Sequence, residues 1–239
     1  MTMIHTLSEA SPSAPETLPL MENGDLLSQP EFHHRYGLMP DTFRADLIGG
    51  IVYSSTHLHH KHSKNRILLG TPVFLYEGCT PGVQASERSP VILSDKDELH
   101  PDLSIRLLPE CGGRTEISME EAIIGAPEMV VEVAASPRSL EFHLKLERYR
   151  QSGVNEYLVL CLEEWKLYWF NLQTNREMLA DADGIFRSRA FPGLWIDGQA
   201  LLDRQPAKLL EVLDHGLASP AYASFRDRLT KWVAKPNGE

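Results

Sequence analysis

Two stretches of this sequence place ionisable side chains where burial would make them reactive. In "PEMVVEVA", residues 127–134, Glu132 stands between Val131 and Val133 in a run that reads as a buried strand. Alternation puts Met129, Val131 and Val133 on one face and Val130, Glu132 and Ala134 on the other. A buried, unpaired carboxylate costs several kcal/mol, so Glu132 needs a partner or a ligand. Downstream, a helix expected over 138–152 carries Glu141, Lys145 and Tyr149 at four-residue spacing. At about 100° per residue these three form one stripe, bordered by Leu140 and Leu144 on one side and Phe142 and Leu146 on the other. An exposed Glu141–Lys145 pair, worth about 0.3–0.5 kcal/mol, is the ordinary reading. The apolar borders and the inward Glu132 favour a lysine delivered beside a strand carboxylate.

That combination suits phosphoryl chemistry. A hard divalent cation such as Mg²⁺ or Mn²⁺ takes oxygen ligands and keeps several waters. A nearby ammonium offsets charge that develops in a phosphoryl transition state. One carboxylate makes a poor cation site, so a second acid is needed. Asp102 in "HPDLSIR" meets that need, because Pro101 fixes the approach and Asp102 opens a strand over 102–108. If this strand pairs with 128–134, Asp102 and Glu132 converge at one end. The alternative for Asp102 is a turn residue that caps its strand.

Other constellations are weaker. "THLHHKHSK" holds His57, His59, His60 and His62, and imidazoles suit Zn²⁺ or Ni²⁺. No HExxH motif accompanies them, and a solvated, partly positive helix entry explains them as well. Lys61, His62, Lys64 and Arg66, with Arg138 and Arg148, make the best strip for nucleic-acid phosphates. Trp165, Tyr168 and Trp169 could stack bases, although packing in a hairpin is the simpler reading. There is no P-loop and no dinucleotide fingerprint.

The elements that must position these residues alternate in type. "ADLIGGIVYSS" reads as a hairpin around Gly49-Gly50. Residues 57–78 read as a helix in which Pro72 marks a kink or an end. One or two strands follow in "CTPGVQASERSPVILS", then strand 102–108. A connector at 109–126 has room for a short helix at "SMEEAI". After strand 128–134 and the lysine helix, which stops at Gly153, "EYLVLCL" and "KLYWFNL" form a hairpin around Glu163-Glu164. The segment beyond about Leu201 reads as helical and polar. The domain plan is a disordered tail over 1–30, one α/β domain over 31–205, and a C-terminal helical extension over 206–239.

Composition sets bounds on function. The chain has 239 residues and a net charge of -10, so bulk attraction to nucleic acid or an anionic membrane is disfavoured. A nucleic-acid role then requires a local basic strip or a bound metal. Three scattered cysteines fit a reducing cytoplasm. No apolar run is long enough to span a membrane, and the first residues lack the pattern of a secretory leader.

In the residues Pro101-Asp102, "GAPEMVVEVAASP", Glu141, Lys145, Tyr149 and "GVNEYLVL", the sequence resembles the Uma2 family, restriction-endonuclease-like proteins of the PD-(D/E)XK nuclease superfamily. The resemblance covers roughly residues 35–200, with "ADLIGGIVY" and "FPGLWIDG" as weaker flanks. It implies a restriction-endonuclease-like core, a mixed central β-sheet flanked by helices. It also implies a divalent cation held by Asp102 and Glu132, and hydrolysis of phosphodiester bonds in nucleic acid, most readily DNA. The superfamily lysine normally sits two residues after the second acid, where this chain has Ala134; Lys145 substitutes from the helix. Glu141 and Tyr149 then orient Lys145 or stand with Asp46 in the outer shell around it. Glu141 replaces the family's usual aspartate, and Gly49 and Ile51 stand where acids are common. A site that cuts one strand implies a homodimer for duplex cleavage. The rival from another class is a non-catalytic scaffold in which Glu132 and Lys145 form a structural ion pair.

Overall fold

The structure is a computed structural model that describes residues 21–54 and 60–233, without the side chains of residues 60, 61 and 233. In chain order the elements are α1 (Gln29–Tyr36), β1 (Ala45–Ile48), β2 (Ile51–Ser54), α2 (His60–Cys79), β3 (Val83–Glu87), β4 (Val91–Ser94) and β5 (Asp97–Leu99). Then come β6 (Leu103–Leu107), β7 (Glu116–Ile117), β8 (Ile123–Ile124), β9 (Met129–Ala134), α3 (Leu144–Ser152), β10 (Glu156–Cys161) and β11 (Lys166–Asn171). The chain closes with β12 (Arg176–Met178), β13 (Ile185–Arg187), β14 (Trp195–Asp197), α4 (Gly198–Leu202), α5 (Pro206–Leu217) and α6 (Pro220–Val233).

Among the described residues, the strands form two six-stranded sheets and a small hairpin. One sheet runs β2-β1-β5-β4-β8-β7, the other β12-β11-β10-β9-β6-β3. Both are mixed, because β9 and β10 run parallel in one and β4 and β8 in the other, while their remaining neighbours are antiparallel. This is the α/β architecture of mixed sheets flanked by helices that a restriction-endonuclease-like core requires. The β1–β2 hairpin turns at Gly49 (φ 62°) and Gly50 (φ 80°), and two successive positive φ values are what a tight primed turn demands.

The alternation of β9 sorts its side chains between two cores. Met129, Val131 and Val133 join a large cluster with Leu69 and Val73 of α2 and Leu209, Leu213, Phe225 and Leu229 of the C-terminal helices. Val130 and Ala134 face the opposite way, against Tyr149 of α3 and Ile48 and Leu99 of the other sheet. Glu132 shares this second face, which is why α3 and β1 are the elements that can reach it.

Three local expectations are corrected. The helix expected over 138–152 is a 3₁₀ turn (Leu140–Phe142), a break at His143 (φ -125°, ψ -86°), and then α3. The cause is a competing bond: the Tyr157 hydroxyl donates to the Glu141 carbonyl at 3.2 Å, the acceptor a continuous helix would give to the Lys145 N–H. "SMEEAI" is a turn between β7 and β8, because Ser118 Oγ accepts from the Glu120 and Ala122 N–H groups and so outcompetes a helix. The C-terminal helices are amphipathic rather than polar, with Leu209, Leu213, Tyr222, Phe225 and Leu229 buried. Pro72 lies inside α2 without ending it.

One buried carboxylate serves the fold alone. Glu156 is fully buried and accepts from Trp169 Nε1 (3.1 Å), Ser188 Oγ (2.7 Å) and the N–H groups of Arg189 (2.6 Å) and Ala190 (2.9 Å). Four donors saturate both oxygens and fasten the 188–190 segment to β10. Glu156→Ala is expected to cost about 3–5 kcal/mol in urea unfolding, because it strands the buried Trp169 and Ser188 donors and frees the 188–190 segment. A loss below about 1 kcal/mol would show that water replaces the carboxylate there.

Candidate active site

The site grows from the pairing of β6 with β9. They run antiparallel with Leu103 opposite Val131, and one further step in that register brings Asp102 across from Glu132. The Val133 N–H donates to Asp102 Oδ2 at 2.8 Å, and the Asp102 N–H reaches Glu132 Oε2 at 3.4 Å. Each acid is thus held by the other's strand. Tyr149 and Lys145, one turn apart on α3, come down on the same carboxylate. Lys145 Nζ lies 2.9 Å from Glu132 Oε1, and the Tyr149 hydroxyl donates to the same oxygen at 3.2 Å.

The second partner of Lys145 is Asp46 on β1, with Oδ2 at 3.0 Å from Nζ. Of the two places expected for Glu141, the structure gives the outer one. Because the helix breaks at His143, Glu141 lines the cavity from the 3₁₀ turn and shares no hydrogen bond with Lys145 among the described residues. Tyr149 orients Glu132, not the lysine. Asp46, expected only as an outer acid, contacts the ammonium directly. Asp46 is fixed in turn by the His100 N–H, which donates to Oδ1 at 2.7 Å. The His100 ring stacks on Tyr36 at 4.3 Å between centroids.

Although both acids touch Lys145, their proton affinities move in opposite directions. Burial pushes the Glu132 carboxyl up to about 8 against the pull of Lys145, and the charge of Asp102 adds to the rise. Burial also raises Asp102, opposed by the Val133 N–H, Lys145 and Arg66. Burial acts on Asp46 as well, but Lys145 together with the His100 ring and N–H holds it well below the usual carboxylate range. Asp46 has two sources of compensation and no acid directly across from it, whereas Glu132 faces Asp102. Burial would discharge Lys145, yet Asp46 and Glu132 keep its ammonium well above the ordinary value.

Among the described residues, two oxygens of the cluster have no close hydrogen bond. Asp102 Oδ1 faces Arg66 at 3.6 Å, outside hydrogen-bond reach, and Glu132 Oε2 has only the 3.4 Å contact. Glu156, with four close donors, shows how this chain satisfies a carboxylate that has no other task. Among the described residues no three His, Cys, Asp or Glu side chains converge as a metal cage. Two hard oxygen donors of raised proton affinity still fit Mg²⁺, which is commonly held through one or two carboxylates and otherwise by water and substrate oxygens.

These acids open into a cavity of about 490 Å³. Of the expected phosphate strip, His62 and Arg66 line it. Lys64 is exposed on α2, and Arg138 is exposed and lies 3.4 Å from Glu163. Arg148 pairs with Asp97 at 3.4 Å and lines a separate hollow beside Gly49. The Lys61 side chain and His57, His59 and His60 lie outside the described residues as far as their side chains are concerned. Of the aromatics at 165–169, Trp169 is buried beside Glu156, as hairpin packing requires. Sequence reasoning missed Arg44, Arg88 and His100. Nothing local marks Arg88; only the β3–β6 pairing brings it over the site, where its N–H meets the Asp102 carbonyl at 3.3 Å.

Comparison with known proteins agrees with this architecture. Among curated proteins no sequence matches the chain. A solved structure described as a "putative nuclease" from Anabaena variabilis superposes with a TM-score of 0.53 at 13% identity, covering 75% of this chain and 97% of that one. At that identity the likeness speaks for the fold. The Uma2 family profile, described as "Putative restriction endonuclease", matches residues 29–201, a span that holds Asp46, Asp102, Glu132, Lys145 and every strand from β1 to β14. With most of its length matched, the chain belongs to the Uma2 family.

Proposed function

We propose that the protein is a metal-dependent endonuclease that hydrolyses phosphodiester bonds in nucleic acid, most readily DNA. One observation carries the reading: two strand-locked acids lie beside a buried lysine in a cavity that arginines also line. Asp102 and Glu132 would hold Mg²⁺ or Mn²⁺, which when bound supplies a Lewis acid for the phosphoryl oxygen and lowers the pKa of water. Lys145 keeps its proton and offsets negative charge at the reacting phosphorus. Asp46 holds Lys145 in place and Tyr149 fixes the Glu132 oxygen that faces it. Cytoplasmic residence, and a second copy of the chain for cutting both strands of a duplex, belong to the same reading. Among the described residues no helix is long and apolar enough to cross a membrane.

The scaffold alternative explains the Lys145 contacts as structural, but it gives no reason for leaving Asp102 Oδ1 and Glu132 Oε2 without a close hydrogen bond that is seen among the described residues. Calorimetric titration with Mn²⁺ separates the two. Wild type is expected to take up one cation, and Asp102→Asn to bind it about 10–100-fold more weakly with its melting transition intact. Mixed DNA and RNA substrates with titrated metal then report cleavage. No uptake and no cleavage in folded wild type would leave the scaffold reading standing.

A further inference from the structure

We propose that Arg44, Arg66 and Arg88 form a receptor for a terminal phosphate, so that the cavity takes the phosphorylated end of a single nucleic-acid strand. The proposal rests on the nuclease reading and names the substrate for the same site. All three arginines line the cavity that holds Asp102 and Glu132. In a chain of net charge -10, three guanidiniums gathered in one place require a reason. Carboxylates among the described residues account for only one of the three: Arg66 stands 3.6 Å from both Glu87 and Asp102, whereas neither Arg44 nor Arg88 has an ion pair to a described residue. Arg44 NH1 is spent on the backbone carbonyls of Asp41 and Phe43 and the side chain also bonds Tyr36, while its buried Nε has no hydrogen-bond partner among the described residues. Buried Arg66 Nε also lacks one, since its nearest acid, Glu87, stands 3.6 Å away. Arg88 has neither an ion pair nor a side-chain hydrogen bond to any described residue.

The arginines also repel one another. Burial lowers the proton affinity of Arg88, and the charges of Arg44 and Arg66 lower it further, against a smaller opposing pull from Tyr36 and Asp102. Arg88 holds φ at 56°, a conformation that glycine or asparagine would adopt more readily. A residue kept in an unfavourable conformation, beside like charges and with no side-chain hydrogen bond to a described residue, is poised for an anion that is added later.

Stoichiometry selects the anion. A phosphodiester presents two unshared oxygens and one charge, whereas a terminal phosphate presents three oxygens and a charge of about -1.5 to -2. Three guanidinium forks match the latter. A volume of about 490 Å³ lies in the range of small-molecule sites, about 300–1,000 Å³, and suits a strand end more than the side of a duplex. Arg66 links the two functions, because its NH1 stands 3.6 Å from Asp102. A phosphate bound by the arginines would hold the adjoining phosphodiester over the acids.

The test uses internally labelled decathymidylate carrying a 5′-phosphate, a 3′-phosphate or neither, bound to the full chain in metal-free buffer. Fluorescence anisotropy is expected to show one phosphorylated probe binding at least about tenfold tighter than the unphosphorylated one, and which of the two assigns the strand polarity. Arg88→Ala and Arg44→Gln should each remove most of that preference. Arg88→Lys, kept as a milder change if the others fail to fold, should retain part of it. Equal binding of all three probes, or a preference that survives in folded Arg44→Gln/Arg88→Ala, would overturn the inference. With Mn²⁺ added, a closed circular strand cut as fast as the phosphorylated linear one would also overturn it, while upholding the nuclease. End preference with no cleavage of any probe would uphold the receptor and sink the nuclease reading.

Discussion

Lys145→Met is expected to lower metal-dependent turnover by about 10²–10³ and to cost about 3–5 kcal/mol of stability. Both effects follow from one position. Lys145 Nζ lies 2.9 Å from Glu132 and 3.0 Å from Asp46, and it is buried, so its loss strands the ionised Asp46 and takes a donor from Glu132. Methionine keeps most of the length and removes the charge, which confines the change to electrostatics. Substrate binding should change less than turnover, because the ammonium meets developing charge chiefly in the transition state. Lys145→Arg should rescue only part, since a planar fork cannot replace a compact ammonium between two acids. The triple variant Asp46→Asn/Glu132→Gln/Lys145→Met removes the whole set of charges and should regain most of the lost stability while turnover stays low. Cleavage unchanged in a folded Lys145→Met protein would remove this lysine from the chemistry.

Much of this site was legible in the sequence because strand alternation and antiparallel register are local rules. The apolar run around Glu132 predicted its face, and the placement of Pro101-Asp102 at a strand start predicted the convergence with Glu132 that β6–β9 pairing produces. The lysine's second partner was not legible. Asp46 lies 99 positions upstream of Lys145 and meets it only because one sheet packs over the other. The helix break was hidden for a similar reason: helical spacing from Glu141 to Tyr149 is sound, but the hydroxyl of Tyr157, on the neighbouring strand, captures the carbonyl that continuity needs. Arg44 and Arg88 carry no local pattern at all. Their convergence depends on how the β1–β2 hairpin and the β3–β4 turn close around the same cavity. The C-terminal helices misled because charged residues stand between their apolar ones, although Leu209, Leu213, Phe225 and Leu229 are spaced to meet one core.

Glu132→Gln is expected to make the metal-free protein more stable in alkaline solution while abolishing its response to Mg²⁺. The ordinary glutamate value is 4.5, and in the folded protein burial raises Glu132 to about 8. Between these values the folded chain retains a proton that the unfolded chain has released. The contribution of Glu132 to stability is therefore present below about 4.5 and lost as pH rises through about 8. Asp102, raised in the same direction, adds to the slope. Asp46 does not mask it, because a depressed carboxyl gives up its stabilisation only in acid. Lys145, held well above its ordinary 10.5, stays charged across the window. Glutamine keeps an oxygen to accept from Lys145 and Tyr149 but has no proton to lose. In EDTA, Glu132→Gln should melt roughly 5–10 °C above wild type at pH 9 and within about 2 °C of it at pH 5. Mg²⁺ at pH 9 should raise the wild-type Tm, since a cation relieves the charge of the ionised acids, and should leave the variant unmoved. Parallel melting curves across pH would mean that Glu132 is satisfied by Lys145 alone, as in a structural pair. A gain in stability from removing a buried acid, coupled to loss of cation response, would mark a carboxylate retained for its ligand and not for the fold.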